Sequence, residues 1–267
     1  MKDEAERLDD LRENIDALDR KLVSLLSERA KVVVAVGELK RDTKTPIYAP
    51  HREREVLERA LSHNEGPLSD RTIEAIYREL MSGSFQLEKP LAIAHLAPIG
   101  SFSHIAATRH FGSSVDCVGI PTIDGVFREV AAGHCNYGLV PYENTTSGSI
   151  TDTLDAFHDH DVTIYAEALI DIRHCLLCNG PTNEITKIAS KPQVITQCRK
   201  WLAAMFPNVE IIETASSAQA VKLAADDPQI GAIGSALAGH EHNVEIALEN
   251  VQDRSENITR FLILAKE

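Results

Sequence analysis

From Leu8 to Leu39, apolar side chains recur at alternating steps of three and four: Leu8, Leu11, Ile15, Leu18, Leu22, Leu25, Val32, Val36 and Leu39. That spacing predicts one continuous amphipathic helix. No proline interrupts it, and its single glycine, Gly37, lies near the end. The repeat breaks once, at position 29, where Arg29 stands in an apolar slot. At 1.5 Å per residue such a helix is about 50 Å long, more than one small domain covers. A second copy of the chain is the natural cover for the stripe, which predicts a homodimer through this segment.

Asp42–Pro50 reads as a turn with two prolines, and a second helix runs over about 51–63 until Gly66-Pro67 ends it. A third helix starts near Ser69, its N-cap, with Ile73, Ile76, Tyr77, Leu80 and Leu87 on one face. Ser84 and Glu88 continue that face and are polar where the pattern expects core. Polar groups on a buried stripe need a partner or a ligand. At Lys89-Pro90 the pattern changes. Short apolar runs near 91–97, 115–120, 137–142, 162–170, 174–179, 185–190, 209–213, 230–234 and 259–265 predict strands. Helical stretches fall between them near 103–110, 122–132, 150–158, 194–206 and 216–226. The expectation is an all-α N-terminal domain of three helices over 1–89, then an α/β domain with a mainly parallel sheet over 90–267.

Composition adds exclusions. Hydrophobic residues at 43% and charged residues at 25% are those of an ordinary globular protein. The start, MKDEAERLDD, is acidic and has no apolar stretch of a signal peptide. No run approaches the roughly 20 apolar residues of a membrane helix, and the five scattered cysteines suggest no disulfide framework. The expected location is the cytoplasm, with no membrane partner. Net charge is −13: residues 1–89 hold 16 Lys/Arg against 19 Asp/Glu, and residues 90–267 hold 11 against 21. Such an acidic chain is not a nucleic-acid binder, and an anionic substrate must be drawn in by a few local donors.

Those donors have candidates. Lys40 follows Arg29 by eleven residues, a net rotation of about 20°, so the two share a helix face. Arg12 points about 100° away and would reach a partner's site in a dimer. In the α/β domain the stretch VPYENTTSGSI (Val140–Ile150) ends a short apolar strand in Glu143, Asn144, Thr145, Thr146 and Ser147, then opens a helix. In α/β proteins, ligands bind beyond the carboxyl ends of strands, near free helix N-termini. The plainer alternative is a loop that caps the next helix, which Ser149 or Thr151 would do alone. Cys175-x-x-Cys178, His158-Asp-His160 and His240-Glu-His242 lack a second ligand pair, and no GxGxxG follows a strand. No metal and no cofactor is expected.

Two resemblances sharpen this. LRENIDALDRKLVSLLSERA, GELK, HRERE and the third helix resemble the all-helical class of chorismate mutases across residues 8–88. By that resemblance Arg12 (from the partner chain), Arg29 and Arg52 clamp the two carboxylates of chorismate. Lys40 and Glu88 flank the ether oxygen, Glu53 holds the ring hydroxyl and Ser84 assists. Ala49 departs from the aspartate that relatives often carry near that hydroxyl. VPYENTTSGSI, LAPIGSFSHIAA (Leu96–Ala107) and NITRF (Asn257–Phe261) resemble the prephenate dehydratase family over about residues 91–265.

That second resemblance implies a two-lobed fold like type 2 periplasmic binding proteins, with the ligand between lobes. Lobe one would be roughly 91–167 plus the final strand, and lobe two roughly 168–245. Asn144 and Thr145 in ENTTSG, Ser190 and Gln197 in SKPQVITQC, Ser101, and Thr259-Arg260-Phe261 are the residues it singles out. Thr259 would donate to the departing hydroxyl and Arg260 would hold a carboxylate, with helix N-termini after Ser101 and Gly148 for the other. Ala97 and Ser101 replace a glycine and a threonine of the family motif.

Together the resemblances imply a bifunctional enzyme of phenylalanine biosynthesis that takes chorismate through prephenate to phenylpyruvate. Arogenate as the true substrate, or an inactive two-lobed sensor of an aromatic ligand, are the alternatives. Members of the family usually continue into a regulatory ACT domain. Only six residues follow Phe261, so either that regulation is lacking or the sequence is part of a longer chain.

Overall fold

The computed structural model describes residues 4–43 and 50–266. The chain forms two compact units, with the division at Pro90–Leu91. Ala49 lies outside the described residues, as does most of the expected turn before it.

The helical unit has three elements: α1 (Glu4–Thr43), α2 (Pro50–Ser62) and α3 (Asp70–Glu88). The Ser69 side chain accepts from the Thr72 backbone N–H and so caps α3. Helices α1 and α2 both pack on α3. Gly37 sets how closely α1 can approach, because a Cβ there would lie 2.9 Å from the Glu88 Cα. The nine stripe positions of α1, Leu8 to Leu39, remain 41–66% exposed.

The α/β unit begins with β1 (Ala92–Leu96), α4 (Phe102–Phe111), β2 (Asp116–Ile120), α5 (Ile123–Ala131), β3 (Tyr137–Asn144), β4 (Gly148–Ser149), α6 (Thr151–Asp159) and β5 (Val162–Asp171). A second series follows: β6 (Cys175–Leu177), β7 (Lys187–Ser190), α7 (Pro192–Gln197), α8 (Arg199–Met205), β8 (Glu210–Glu213), α9 (Ser217–Asp226), β9 (Ile230–Gly234), α10 (Ala236–His242) and β10 (Ile246–Leu248). The last strand, β11 (Ile258–Lys266), returns to the first sheet.

The two sheets run β2-β1-β3-β11-β5, with β4 beside β3, and β10-β6-β9-β7-β8. Both are mixed, which corrects the expected mainly parallel sheet. β1 is parallel to β2 and β3, whereas β11 is antiparallel to both β3 and β5. The reason is connectivity. The chain leaves the first lobe through β5 and re-enters through β11, so exit and return lie side by side in opposite directions. The crossing falls at Ile172–His174, where Ile172 N–H donates to Asn257 C=O at 2.7 Å. The single helix expected over 194–206 is two, broken at Cys198 (φ −112°, ψ 13°). Helix α10 had no apolar period to announce it; a Ser235 cap and a left-handed Asn243 define it.

Each lobe buries its own core. Val126, Phe127, Val130, Val140, Leu262 and Leu264 pack under α5 and α6 in the first. In the second, α9 and α10 cover one face of the sheet and α7 and α8 the other. Gly100 joins the lobes: it has φ +81°, a Cβ there would sit 2.9 Å from Ala238 Cα, and its carbonyl accepts from Ser235 Oγ at 2.6 Å. The five cysteines are free, and no helix among the described residues is long and apolar enough to cross a membrane.

Behind Gly100 the rings of His95 and His104 stack with centroids 5.0 Å apart. Burial pushes both below the usual histidine pKa; the His95 N–H to the Leu96 carbonyl and Glu241 near His104 oppose this only in part. In the unfolded chain each ring titrates near about 6.5. Their stabilising effect is therefore complete above that pH and is lost as pH falls toward the lowered folded values. We expect the urea midpoint of this unit, read by its single tryptophan, Trp201, to fall between pH 7.5 and pH 5.5. The fall should be smaller in His95→Gln. A wild-type midpoint that does not move over this range would contradict the account.

Candidate active sites

In the helical unit a cavity of about 350 Å³ opens where the three helices face one another. Arg29 and Lys40 reach it from α1, Arg52 and Glu53 from α2, and Ser84 and Glu88 from α3, over an apolar wall of Val32, Val36 and Phe85. The Lys40 ammonium donates to Glu88 at 2.7 Å, and the Glu88 side chain is only 9% exposed. Arg29 donates to Ser84 Oγ at 2.8 Å, while Ser84 itself donates to the Leu80 carbonyl at 2.7 Å. The polar interruptions of the apolar pattern thus meet each other. Arg52 also makes an exposed pair with Glu55 at 2.9 Å. Arg12 is not brought to this cavity: it lies about 25 Å down α1 from Arg29, exposed and 3.4 Å from Asp9.

In the α/β unit a cavity of about 260 Å³ is enclosed by both lobes. Its walls come from the turn before α4, the end of β3, the crossing segment, the start of α7, the start of α9 and β11. At its centre is Asn144. The orientation of its amide follows from its neighbours, because the backbone N–H groups of Thr146 (2.9 Å) and Ser147 (3.1 Å) can only donate, so the atom they reach is Oδ1. Its Nδ2 then donates to Asn257 Oδ1 and to Thr259 Oγ1, each at 2.8 Å. The Thr259 oxygen is an acceptor in that bond, which leaves its own hydrogen available to donate to a group bound in the cavity that Thr259 lines.

A chain of hydrogen bonds continues from Asn144. Thr146 Oγ1 donates to Asn144 Oδ1, Gln197 Nε2 donates to Thr146 Oγ1 at 3.2 Å, and His174 Nε2 donates to Gln197 Oε1 at 2.8 Å. His174 is therefore the Nε2–H tautomer, and its Nδ1 has no partner among the described residues. Burial holds its pKa below the usual value, keeping the ring neutral, and Phe102 packs edge-on against it. Sequence reading passed over His174 because it sits in an apparent strand with no motif around it. Only the fold brings it to Gln197.

The remaining expected residues divide. Ser101 lines the cavity and caps α4, accepting from His104 N–H at 3.2 Å, and Phe261 lines it from β11. Thr145 faces outward and extends the β3–β11 pairing through Ile258. Ser190 is fully buried beneath the cleft, donating to the Ile233 carbonyl at 2.6 Å. Arg260 is not among the residues that line this cavity. Successive strand residues point to opposite faces, so between Thr259 and Phe261 it turns away and pairs with Glu167 at 3.3 Å. The cation lining this cavity is instead Lys191, together with the N-termini of α4 and α9, capped by Ser101 and Ser216. The Cys175 and Cys178 thiols are pushed up by burial, as unreactive core cysteines are.

The model of the prephenate dehydratase family matches residues 93–267, and that of chorismate mutase type II matches residues 11–89. A protein named bifunctional chorismate mutase/prephenate dehydratase in Stutzerimonas stutzeri is 40% identical over an alignment of 271 positions, gaps included, that covers 99% of this chain and 74% of that protein. One of the same name in Aquifex aeolicus is 38% identical over 266 residues, covering 98% of this chain and 74% of that protein. The crystal structure of prephenate dehydratase from Arthrobacter aurescens in complex with L-Phe superposes with a TM-score of 0.61 at 26% identity, covering 66% of this chain and 61% of that one.

If Asn144 ties β3 to β11, Asn144→Ala should destabilise the α/β unit by about 2–4 kcal/mol, since it strands several buried partners at once. Urea denaturation followed by Trp201 fluorescence measures this. A loss within about 0.5 kcal/mol, the usual range of a surface substitution, would contradict the assigned network.

Proposed function

Because the chain belongs to the family of bifunctional chorismate mutase/prephenate dehydratases, we propose that the helical cavity rearranges chorismate and that the two-lobed cleft dehydrates prephenate. The chain is an enzyme of phenylalanine biosynthesis that makes prephenate from chorismate and phenylpyruvate from prephenate. What carries the assignment of sites is a coincidence of boundaries. The two family matches fall on the two compact units, and in each unit most of the motif residues line one cavity: Arg29, Lys40, Arg52, Glu53, Ser84 and Glu88 in the first, Ser101, Asn144, Gln197, Thr259 and Phe261 in the second.

The rearrangement breaks an ether C–O bond as a C–C bond forms within one molecule, so it needs no nucleophile. It needs a compact conformer and stabilisation of the charge that grows on the ether oxygen. Arg29 and Arg52 are suited to the two carboxylates, and Ser84 fixes the Arg29 guanidinium. Lys40 is suited to the ether oxygen, with Glu88 holding its ammonium in place, and Glu53 to the ring hydroxyl. Arg12 completes the site from a second copy, docked along the exposed stripe of α1.

Dehydration expels carbon dioxide from one end of the prephenate ring and hydroxide from the other, and aromatisation drives both. The Thr259 hydroxyl, its oxygen held by Asn144, donates its hydrogen to the leaving hydroxyl. The ring carboxylate must surrender its charge, so gripping it would oppose the reaction. We therefore assign Lys191 and the N-termini of α4 and α9 to the other, pyruvyl carboxylate, and the Phe102, Ile172 and Phe261 wall to the one that departs.

Thr259→Val should lower kcat for phenylpyruvate formation by roughly 10²-fold or more, comparable to loss of an oxyanion donor, and leave chorismate turnover unchanged. Arg260→Gln should cost far less, because that side chain faces Glu167. Separate assays with chorismate and with prephenate decide, and parallel loss of both steps would contradict two independent sites. Arg12→Ala and Arg29→Ala proteins, each inactive with chorismate alone, should regain activity when mixed and allowed to exchange subunits. A mixed dimer confirmed by mass that stays inactive would contradict the shared site.

A further inference from the structure

A second cavity, of about 570 Å³, adjoins the dehydratase cleft. Ser147, Gln193 and Gln197 line both, so the two spaces lie on either side of the same three side chains. The far wall of the second is built from the start of α8 and the segment leading to β11, and it presents Arg199, Lys200 and Arg254.

These charges are unusual for their setting. Residues 90–267 contain 11 Lys/Arg against 21 Asp/Glu, a net charge of −10. Three of those 11 cations gather on this wall, and a fourth, Lys191, lines the cleft behind it. Asp253 is the one acidic residue lining either cavity among the described residues. Its two oxygens are occupied by backbone N–H groups, those of Lys200 at 2.9 Å and Trp201 at 3.0 Å. Among the described residues none of the four cations is in an ion pair, although the domain has carboxylates in excess. Like charges left unpaired beside a concave surface repel one another, and a bound anion would relieve that repulsion.

We propose that this cavity is an anion-docking site that takes a carboxylate of the dicarboxylate substrate at the mouth of the cleft, before the ring passes Gln197 into it. The proposal rests on the reading of the cleft as the prephenate site. A chain of net charge −13 repels a dianion in bulk solution. Within a Debye length, about 8 Å at physiological salt, the local patch outweighs that field. Steering by such patches raises encounter rates by roughly 10 to 10³-fold. The effect belongs to capture, so it enters kcat/KM and leaves kcat alone.

The test uses the full chain with prephenate, following phenylpyruvate over ionic strengths from about 0.01 M to about 0.5 M, where screening goes from weak to nearly complete. For the wild-type protein kcat/KM should fall as salt rises. The R199Q/K200Q/R254Q variant should keep its kcat and lose about tenfold in kcat/KM at low salt. Its salt dependence should vanish or reverse, because only the repulsive net charge remains. The control R109Q/R128Q/K222Q removes three cations elsewhere in the same domain, to the same net charge, and should keep the wild-type slope. A patch variant with the wild-type slope, or a control that loses the slope equally, would overturn the docking site. If the wild-type protein formed no phenylpyruvate, the activity assignment would fail instead. Prephenate binding, titrated through Trp201 fluorescence at low salt, would then still decide: weaker by about tenfold in the patch variant if the site exists, equal if it does not.

Discussion

A buried amide has to satisfy all of its hydrogen-bonding capacity, and Asn144 does so on two chain segments 113 residues apart. Its oxygen collects the donors of the loop after β3, while its nitrogen reaches across to Asn257 and Thr259 on the returning strand. Much follows from that one arrangement. The loop is held open at the carboxyl end of β3, and the last strand is fixed in register beside it. The Thr259 hydroxyl can act only as an acceptor toward Asn144, so its hydrogen is free to be donated to a group in the cleft. A threonine is a weak acid, and a donor whose direction is set before substrate arrives spares the reorganisation that a free hydroxyl would need.

The helical unit depends on a different constraint, the close approach of α1 and α3 at Gly37. It brings Lys40 and Glu88 into contact while leaving the apolar stripe along α1 without cover inside the chain. Burying that stripe in a dimer would also supply the cation that one chain cannot deliver to its own cavity. On the proposed assignment, both cavities face the same electrostatic problem, binding a dianion on a molecule of net charge −13. Both answer it with a few cations set around a concave, partly apolar pocket rather than with the overall field.

Much of this was legible in the residues. The three-and-four spacing marked α1, and the polar interruptions Arg29, Ser84 and Glu88 line one cavity, because polar groups in an apolar stripe must meet something. The ENTTSG turn and Thr259 were likewise legible. Arg260 shows the limit of a motif read as a unit: strand alternation turns it to the face opposite Thr259 and Phe261, beside Glu167. Thr145 and Ser190 are polar residues whose bonds go to backbone, a distinction that sequence does not carry. His174 and the mixed sheets were invisible because both arise from the crossing between lobes, a long-range pairing with no local signature.

The most direct measurement supplies purified protein with chorismate alone and follows all three compounds with time. Chorismate should disappear, prephenate should rise and fall, and phenylpyruvate should accumulate to match the chorismate consumed. Chorismate left intact, or conversion that halts at prephenate, would contradict the account of one chain carrying both reactions.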